Sequence, residues 1–362
     1  MKKWMIAVFW GILVLPNLIW PFALKLVKNE NIEKRDLAEF PVFSRETAEL
    51  YPAQMEDYIN DHAAFRNQFL YLDAGIDFFL FQTSSSQDVI RGKKGWFFFK
   101  MGNSVMDYRG QNLFSQEELD AVAAKAEEVR QYYEAQGTTF MIMLAPNKEG
   151  IYPEYMPDAY TRISPVSRYD QIQQVLQEKT QVPVLLPKDT FLRDRDRQWY
   201  YKTDTHWNAL GSFVAVQELI EAAGGEPSSL DDMEISSQPW GDGDLIDMAH
   251  LPRGAFEDEA YEVSGFYDEV EAEVLHLYPN RYAVLTAAPD APDKRRVTLC
   301  RDSFALPMTD YLSRYFCFVD SYHTDIIQKE YLERNHPDIL VYEIVERNMN
   351  FMIEHMNKLL AE

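Results

Sequence analysis

From residue 111 onward, short apolar runs of strand character alternate with helical stretches. This alternation constrains the fold more than any other feature of the chain. Ser115-Gln116-Glu117-Glu118 is a capping box: the serine hydroxyl accepts from the Glu118 amide, and the Glu118 side chain reaches back. The helix it opens runs to about Gln136 and is stopped by Gly137. Thr138 to Ala145 then follows as a buried strand. A helix near Arg168–Lys179 precedes the strand Val184-Leu185-Leu186, and another runs from near Asn208 to Gly224-Gly225. A long, acidic, poorly periodic stretch at about 225–296 reads as an insertion of loops and short strands. Beyond it come the strand Val297–Cys300, a helix after Ser303, the strand Phe316–Val319, a helix near 324–334, the strand Ile339–Tyr342 and a last helix near 347–360. Strands separated by helices predict an α/β fold with a doubly wound, mainly parallel sheet over 111–362.

The N-terminal third has a different pattern. Lys2 and Lys3 precede an apolar run reaching Leu24, interrupted by Gly11, Pro16, Asn17 and Pro21, with no clear cleavage site after it. Residues 1–28 are expected to form an uncleaved signal anchor that crosses the membrane as one helix, the alternative being a cleaved signal peptide. Residues 29–110 read as a helical region packed on the main domain. It ends in a hairpin whose turn is Gly92-Lys93-Lys94-Gly95.

Composition excludes several classes. With 58 acidic against 35 basic residues and a formal charge of -23, the chain has no basic face for phosphates, so no nucleic-acid partner is expected. Two cysteines, Cys300 and Cys317, rule out a disulfide scaffold and a cysteine-rich zinc site. They read as buried free thiols, with a single disulfide as the alternative. The remaining histidines show no ligand spacing, so neither metal nor cofactor is expected.

The chemistry concentrates in two short segments. Asp204-Thr205-His206-Trp207 places a carboxylate and an imidazole two residues apart, and Arg301-Asp302-Ser303-Phe304 places a serine just beyond an apolar strand. A serine hydroxyl needs a base, and the base needs an orienting acid. Asp204, His206 and Ser303 could supply all three. Each segment alone has a plainer reading, as a helix cap with a part-buried histidine or as a serine N-cap. Their combination at strand ends, where open α/β sheets gather reactive groups, favours the triad. The helix after Ser303 could turn its N–H groups towards an oxyanion. Pro146-Asn147-Lys148 follows a strand directly, so Asn147 and Lys148, with Trp207 and Arg347, are further candidates for substrate or oxyanion contacts. Glu343 and Arg347 are also spaced to form a salt bridge under the site. Asp61-His62 reads as structural.

Taken in order, several pieces resemble the alginate O-acetyltransferase-like (DHHW-motif) family of the SGNH hydrolase superfamily. They are Glu33 to Pro41, Tyr58 to Arg66, Gly92 to Phe98, Pro146-Asn147-Lys148 with Tyr152-Pro153-Glu154, Asp204 to Trp207 and Arg301 to Phe304. The resemblance implies an SGNH fold with circularly permuted motif order, Ser303 as nucleophile, His206 as base and Asp204 as its orienter. It implies an extracytoplasmic O-acetyltransferase that carries acetyl on serine to a hydroxyl of an exported polysaccharide, supplied with acetyl by a membrane-bound O-acyltransferase. Arg301 stands where the family's usual glycine precedes Asp-Ser. A carbohydrate acetylesterase is the alternative within the same chemistry, and a non-catalytic polysaccharide-binding scaffold is the alternative outside it.

Overall fold

The computed structural model describes residues 2–23, 36–45, 47–63, 65–81, 83–84, 86–241 and 243–360. They form two compact units. One comprises Met1–Val89 with Ile246–Ala255, the other Ile90–Leu245 with Phe256–Glu362. The hairpin expected with the N-terminal region lies almost wholly in the second unit.

The first unit contains the helices Lys2–Ala23, Tyr51–His62 and Arg66–Phe79. The membrane-spanning anchor expected over residues 1–28 is not borne out: no helix among the described residues is long and apolar enough to cross a membrane. The helix Lys2–Ala23 is present, with Pro16, Asn17 and Pro21 interspersed among its apolar residues. Its last expected residues lie outside those described. Asp61 is buried and accepts the Ala38 amide at 2.8 Å, while His62 stacks on Tyr58 at 4.2 Å.

The second unit is built on a seven-stranded mixed sheet. Its strands in chain order, including those outside the sheet, are β1 (Val89–Arg91), β2 (Phe97–Phe99), β3 (Thr139–Ala145), β4 (Val184–Leu185), β5 (Glu234–Trp240), β6 (Asp258–Ser264), β7 (Glu273–Leu277), β8 (Ala283–Ala287), β9 (Asp293–Arg301), β10 (Phe316–His323) and β11 (Ile339–Val345). The main sheet runs β4-β3-β11-β9-β10-β8-β7, while β1–β2 and β5–β6 are separate ribbons. Strands β4, β3, β11, β9 and β10 are parallel neighbours, whereas β8 and β7 add antiparallel at one edge. The sheet is therefore mixed, because the stretch expected to be an insertion of loops and short strands covers what would be an open β10 edge. Strand β8 buries Ala283, Val284 and Thr286 there.

Alternation along the strands separates two cores. Met141, Met143, Val297, Leu299, Ile339 and Val341 face the helices Ala209–Ala222 and Met308–Tyr315. Phe140, Ile142, Leu144, Cys300, Leu340 and Tyr342 face the helices Gln116–Glu134, Arg168–Lys179 and Met352–Leu360. A strand buried on both faces reads as a continuous apolar run, which is how β3 and β11 appear in sequence. The capping box forms as expected, with the Ser115 amide donating to Glu118 at 2.8 Å and the Glu118 amide to Ser115 Oγ at 3.3 Å. Cys300 and Cys317 are both buried free thiols.

Candidate active site

Three parallel strands deliver the site segments to one sheet edge. Strand β3 ends at Ala145 opposite Val345 of β11, and Cys300 of β9 lies opposite Tyr342. The segments after them, Asn147-Lys148, Glu346-Arg347 and Asp302-Ser303, therefore emerge side by side.

Ser303 sits in the turn after β9. Asp302 shapes that turn: its carboxylate accepts the amides of Phe304 and Val345, each at 2.8 Å, and its own amide donates to Glu343 at 3.0 Å. Arg301 is buried, and its guanidinium bonds the Ser321 hydroxyl at 2.7 Å and the Asp302 carbonyl at 3.0 Å. The helix expected directly after Ser303 begins only at Met308, behind Pro307. The Phe304 N–H is already taken by Asp302, so this helix does not present its first amides to the serine in the way the sequence suggested.

Asp204 and His206 lie in a tight loop closed by a bridge between Tyr200 and Trp207 and by the Asn208 amide on the Trp199 carbonyl at 2.8 Å. Asn208 then caps the following helix through its side chain. Lys148 clamps the loop from inside: its ammonium, fully buried, donates to the carbonyls of Tyr201, Lys202 and Asp204 at 3.0, 3.2 and 2.7 Å. The rings of Trp96 and Phe98 from the hairpin flank it at 5.7 and 5.4 Å. Burial pulls this lysine down to about 8, although Asp204 and Asp244 oppose the shift.

The structure brings the three expected residues together. His206 Nδ1 lies 2.7 Å from Asp204 Oδ1, and Nε2 lies 2.9 Å from Ser303 Oγ. Burial alone would lower the imidazole, but the hydrogen bond and charge of Asp204, with Asp244 behind, raise it above its ordinary value. Burial would likewise raise Asp204. The His206 hydrogen bond and charge, with the amides of Asp244 and His206, override it and hold the carboxyl at about 2. This is the charge pattern of a base ready to take a proton.

Asp244 was not found from sequence. Its carboxylate lies 3.8 Å from His206 Nδ1, accepts the Thr205 amide and hydroxyl at 2.8 and 2.7 Å, and its own amide donates to Asp204 Oδ2 at 3.0 Å. Gly243 permits this approach, since a side chain there would collide with the backbone of Thr203 and Asp204. The only signal in sequence was a Gly-Asp-Gly-Asp turn inside a stretch without periodicity. Among the described residues, Asp204, His206 and Asp244 are the one group placed to hold a metal ion, with ligand atoms within 4.8 Å of one another. Their oxygens are already engaged by neighbouring amides and a hydroxyl, which suits a braced base better than an open ligand set.

The other expected contacts separate. Trp207 lines the cleft above the triad, its ring edge-on to Phe304 at 5.4 Å. Asn147 does not line this cleft. It is buried, its side-chain amide has no hydrogen-bond partner among the described residues, and it lines a second cavity of about 380 Å³ with Glu149 and Glu346. Lys148 is spent on the loop carbonyls. Arg347 lies over the rings of Phe99 and Phe304 at 4.8 and 5.0 Å, and the salt bridge expected with Glu343 is absent among the described residues. Glu343 instead bonds the Asp302 amide, and burial raises its carboxyl well above the usual range.

The triad cleft holds about 590 Å³. Strands β5 and β6 supply one wall, with the Trp240 ring tilted against Tyr201 at 4.4 Å, and the helix Met308–Tyr315 supplies the other.

Residues 89–255 match the family described as SGNH hydrolase-like domain, acetyltransferase AlgX. A probable alginate O-acetylase AlgJ from Pseudomonas syringae pv. tomato is 28% identical over 213 residues, which cover 54% of this chain and 50% of that protein. The match thus spans half of that relative's length. Among solved structures, Bacillus cereus PatB1 with a sulfonyl adduct superposes at a TM-score of 0.57 with 13% identity, covering 75% of this chain and 98% of that one. A DHHW family protein from Eubacterium siraeum superposes at 0.54 with 12% identity, covering 76% and 100%. At such identities the likeness shows a shared fold.

Proposed function

We propose, from the match of residues 89–255 to the family described as SGNH hydrolase-like domain, acetyltransferase AlgX, that the chain is a serine-dependent O-acetyltransferase acting on polysaccharide hydroxyls. The observation that carries this reading is the continuous hydrogen-bonded line from Asp204 through His206 to Ser303 at 2.7 and 2.9 Å. Ser303 Oγ attacks the carbonyl carbon of an acetyl donor as His206 Nε2 takes the hydroxyl proton. The tetrahedral intermediate collapses, the donor's leaving group departs with that proton, and acetyl-serine remains. A sugar hydroxyl then gives its proton to His206 and attacks the acetyl carbonyl. The new ester leaves, and the proton returns to Ser303. Asp204 holds the imidazole with Nε2 facing serine and stabilises the imidazolium. Asp244, through Thr205 and the Asp204 carboxylate, keeps that acid in place.

A polysaccharide acceptor accords with the AlgJ relative's name and with an aromatic-walled cleft large enough for several sugar rings. In this reading the site works outside the cytoplasm, with acetyl supplied through a membrane-bound O-acyltransferase. The Asp-x-His element precedes the serine, which is the permuted SGNH order. Incubation with 4-nitrophenyl acetate tests the reading. Intact mass should show acetylation at Ser303, and Ser303→Ala should lower turnover by roughly 10⁶. Wild-type turnover in a folded Ser303→Ala protein would refute it. Release of acetate without transfer to any oligosaccharide would make the protein an acetylesterase.

A further inference from the structure

The charge of the triad cleft restricts its acceptor. Four carboxylates border it, those of Asp204, Glu262, Asp268 and Asp310, against the single guanidinium of Arg314. Asp204 is committed to His206, and Arg314 is committed to Asp268 by an ion pair. Asp310 has only Arg281, 3.7 Å away on an exposed side chain, and Glu262 has no ion-pair partner among the described residues. The rim therefore carries unbalanced negative charge, and the chain around it has a formal charge of -23. Among the described residues that line the cleft, no uncommitted cation stands to receive a sugar carboxylate; Arg347, over the Phe304 ring at 5.0 Å, is near the triad but is not one of the lining residues. The aromatic side chains that line the cleft are Tyr201, Trp207, Trp240 and Tyr311, with the Trp240 and Tyr201 rings tilted against each other at 4.4 Å. Burial, with Asp310 and Glu262 adding to it, pushes the Tyr311 hydroxyl up to about 12, so it stays a neutral donor.

Resting on the acetyltransferase reading, we propose that the acceptor is a glycan without carboxylates, bound through ring stacking and hydrogen bonds from its hydroxyls to Glu262 and Asp310. Polyuronates, the class to which alginate belongs, are excluded. A polymer with one negative charge per ring would place like charges against this rim, and charge complementarity sets partner choice and approach rates. The carboxylates accept hydrogen bonds from sugar hydroxyls or amines equally well, so neutral and amino sugars both satisfy the cleft.

The test uses the full chain with 4-nitrophenyl acetate as donor and three acceptors: hexamers of β-linked glucose, of glucosamine and of mannuronate. Acetylated product is read by mass spectrometry. Glucose or glucosamine hexamers should be acetylated with a kcat/KM roughly tenfold or more above mannuronate at low salt. The gap should narrow at 0.5 M salt, where screening shortens to a few ångström. Glu262→Lys with Asp310→Lys should shift the mannuronate-to-glucose ratio upward by roughly tenfold. Equal use of mannuronate at low salt, or an unchanged ratio in the double variant, would overturn the proposal. Hexamer binding to the Ser303→Ala chain, followed by NMR, separates the two readings, because it does not need chemistry. Weaker mannuronate binding supports the cleft assignment even if no acetyl-serine forms, and tighter mannuronate binding sinks it.

Discussion

Replacing Asp204 by asparagine (Asp204→Asn) keeps the side-chain shape and removes the charge. In the folded chain the carboxyl lies at about 2 against an ordinary 3.8, a difference worth about 2 kcal/mol at roughly 1.4 kcal/mol per unit. The folded value is depressed, so this contribution is present above pH 3.8 and lost as pH falls towards 2. An amide behaves like the permanently protonated acid, so the variant should be less stable by about 2 kcal/mol near pH 7. The catalytic effect should be larger. His206 is raised because the Asp204 hydrogen bond and charge outweigh burial. Activity needs neutral imidazole, so the wild-type rate should fall as pH drops through a value above 6.5. Without Asp204, burial dominates, and this acid limb should move to lower pH. The rate plateau should fall by roughly 10²–10⁴, since asparagine permits the wrong imidazole tautomer. The loss should stop short of the upper end because Asp244 remains 3.8 Å from Nδ1. Asp204→Asn/Asp244→Asn should reach it. The assay is the pH profile of 4-nitrophenyl acetate turnover between pH 5 and 9, with denaturation curves for each variant. An acid limb that stays in place in Asp204→Asn, with a wild-type plateau, would refute the assignment.

Lys148→Met should uncouple the Asp204 loop. It strands three carbonyls at about 1–3 kcal/mol each, while relief from burying an ammonium pulled from 10.5 to about 8 returns about 3 kcal/mol. A net stability loss of about 0–6 kcal/mol is expected by denaturation, with kcat falling more than KM rises. Gly243→Ala should drive a methyl into the backbone of Thr203 and the Asp204 amide, costing about 1–3 kcal/mol. Its esterase rate should drop while the Ser303 turn keeps its structure, as amide chemical shifts of Phe304 and Val345 would show.

Local patterns were enough for much of this molecule. The capping box at Ser115, the stop at Gly137 and the unbroken apolar runs of β3 and β11 are local signals, and they predict the α/β alternation because both strand faces are buried. The triad was legible for a similar reason: Asp204 and His206 share one loop, and Ser303 directly follows a strand, so each position depends on its near neighbours. The resemblance to the acetyltransferase family rested on the same short segments. What tertiary structure alone decided is pairing over distance. Strands β7 and β8 join the sheet edge because β10 lies there to receive them, and nothing in their own weak alternation says so. Asp244 reaches the base only because Gly243 lets two distant backbones touch. Lys148 and Asn147 are adjacent in sequence after the same strand, yet one turns inward to three carbonyls of the triad loop and the other borders a separate cavity. Sequence position puts both at the strand end, but the direction of each side chain depends on what packs against it. The acidity of the cleft rim is likewise invisible from the chain, since Glu262, Asp268 and Asp310 come from separate elements and meet only when β6 and the helix Met308–Tyr315 close around the serine.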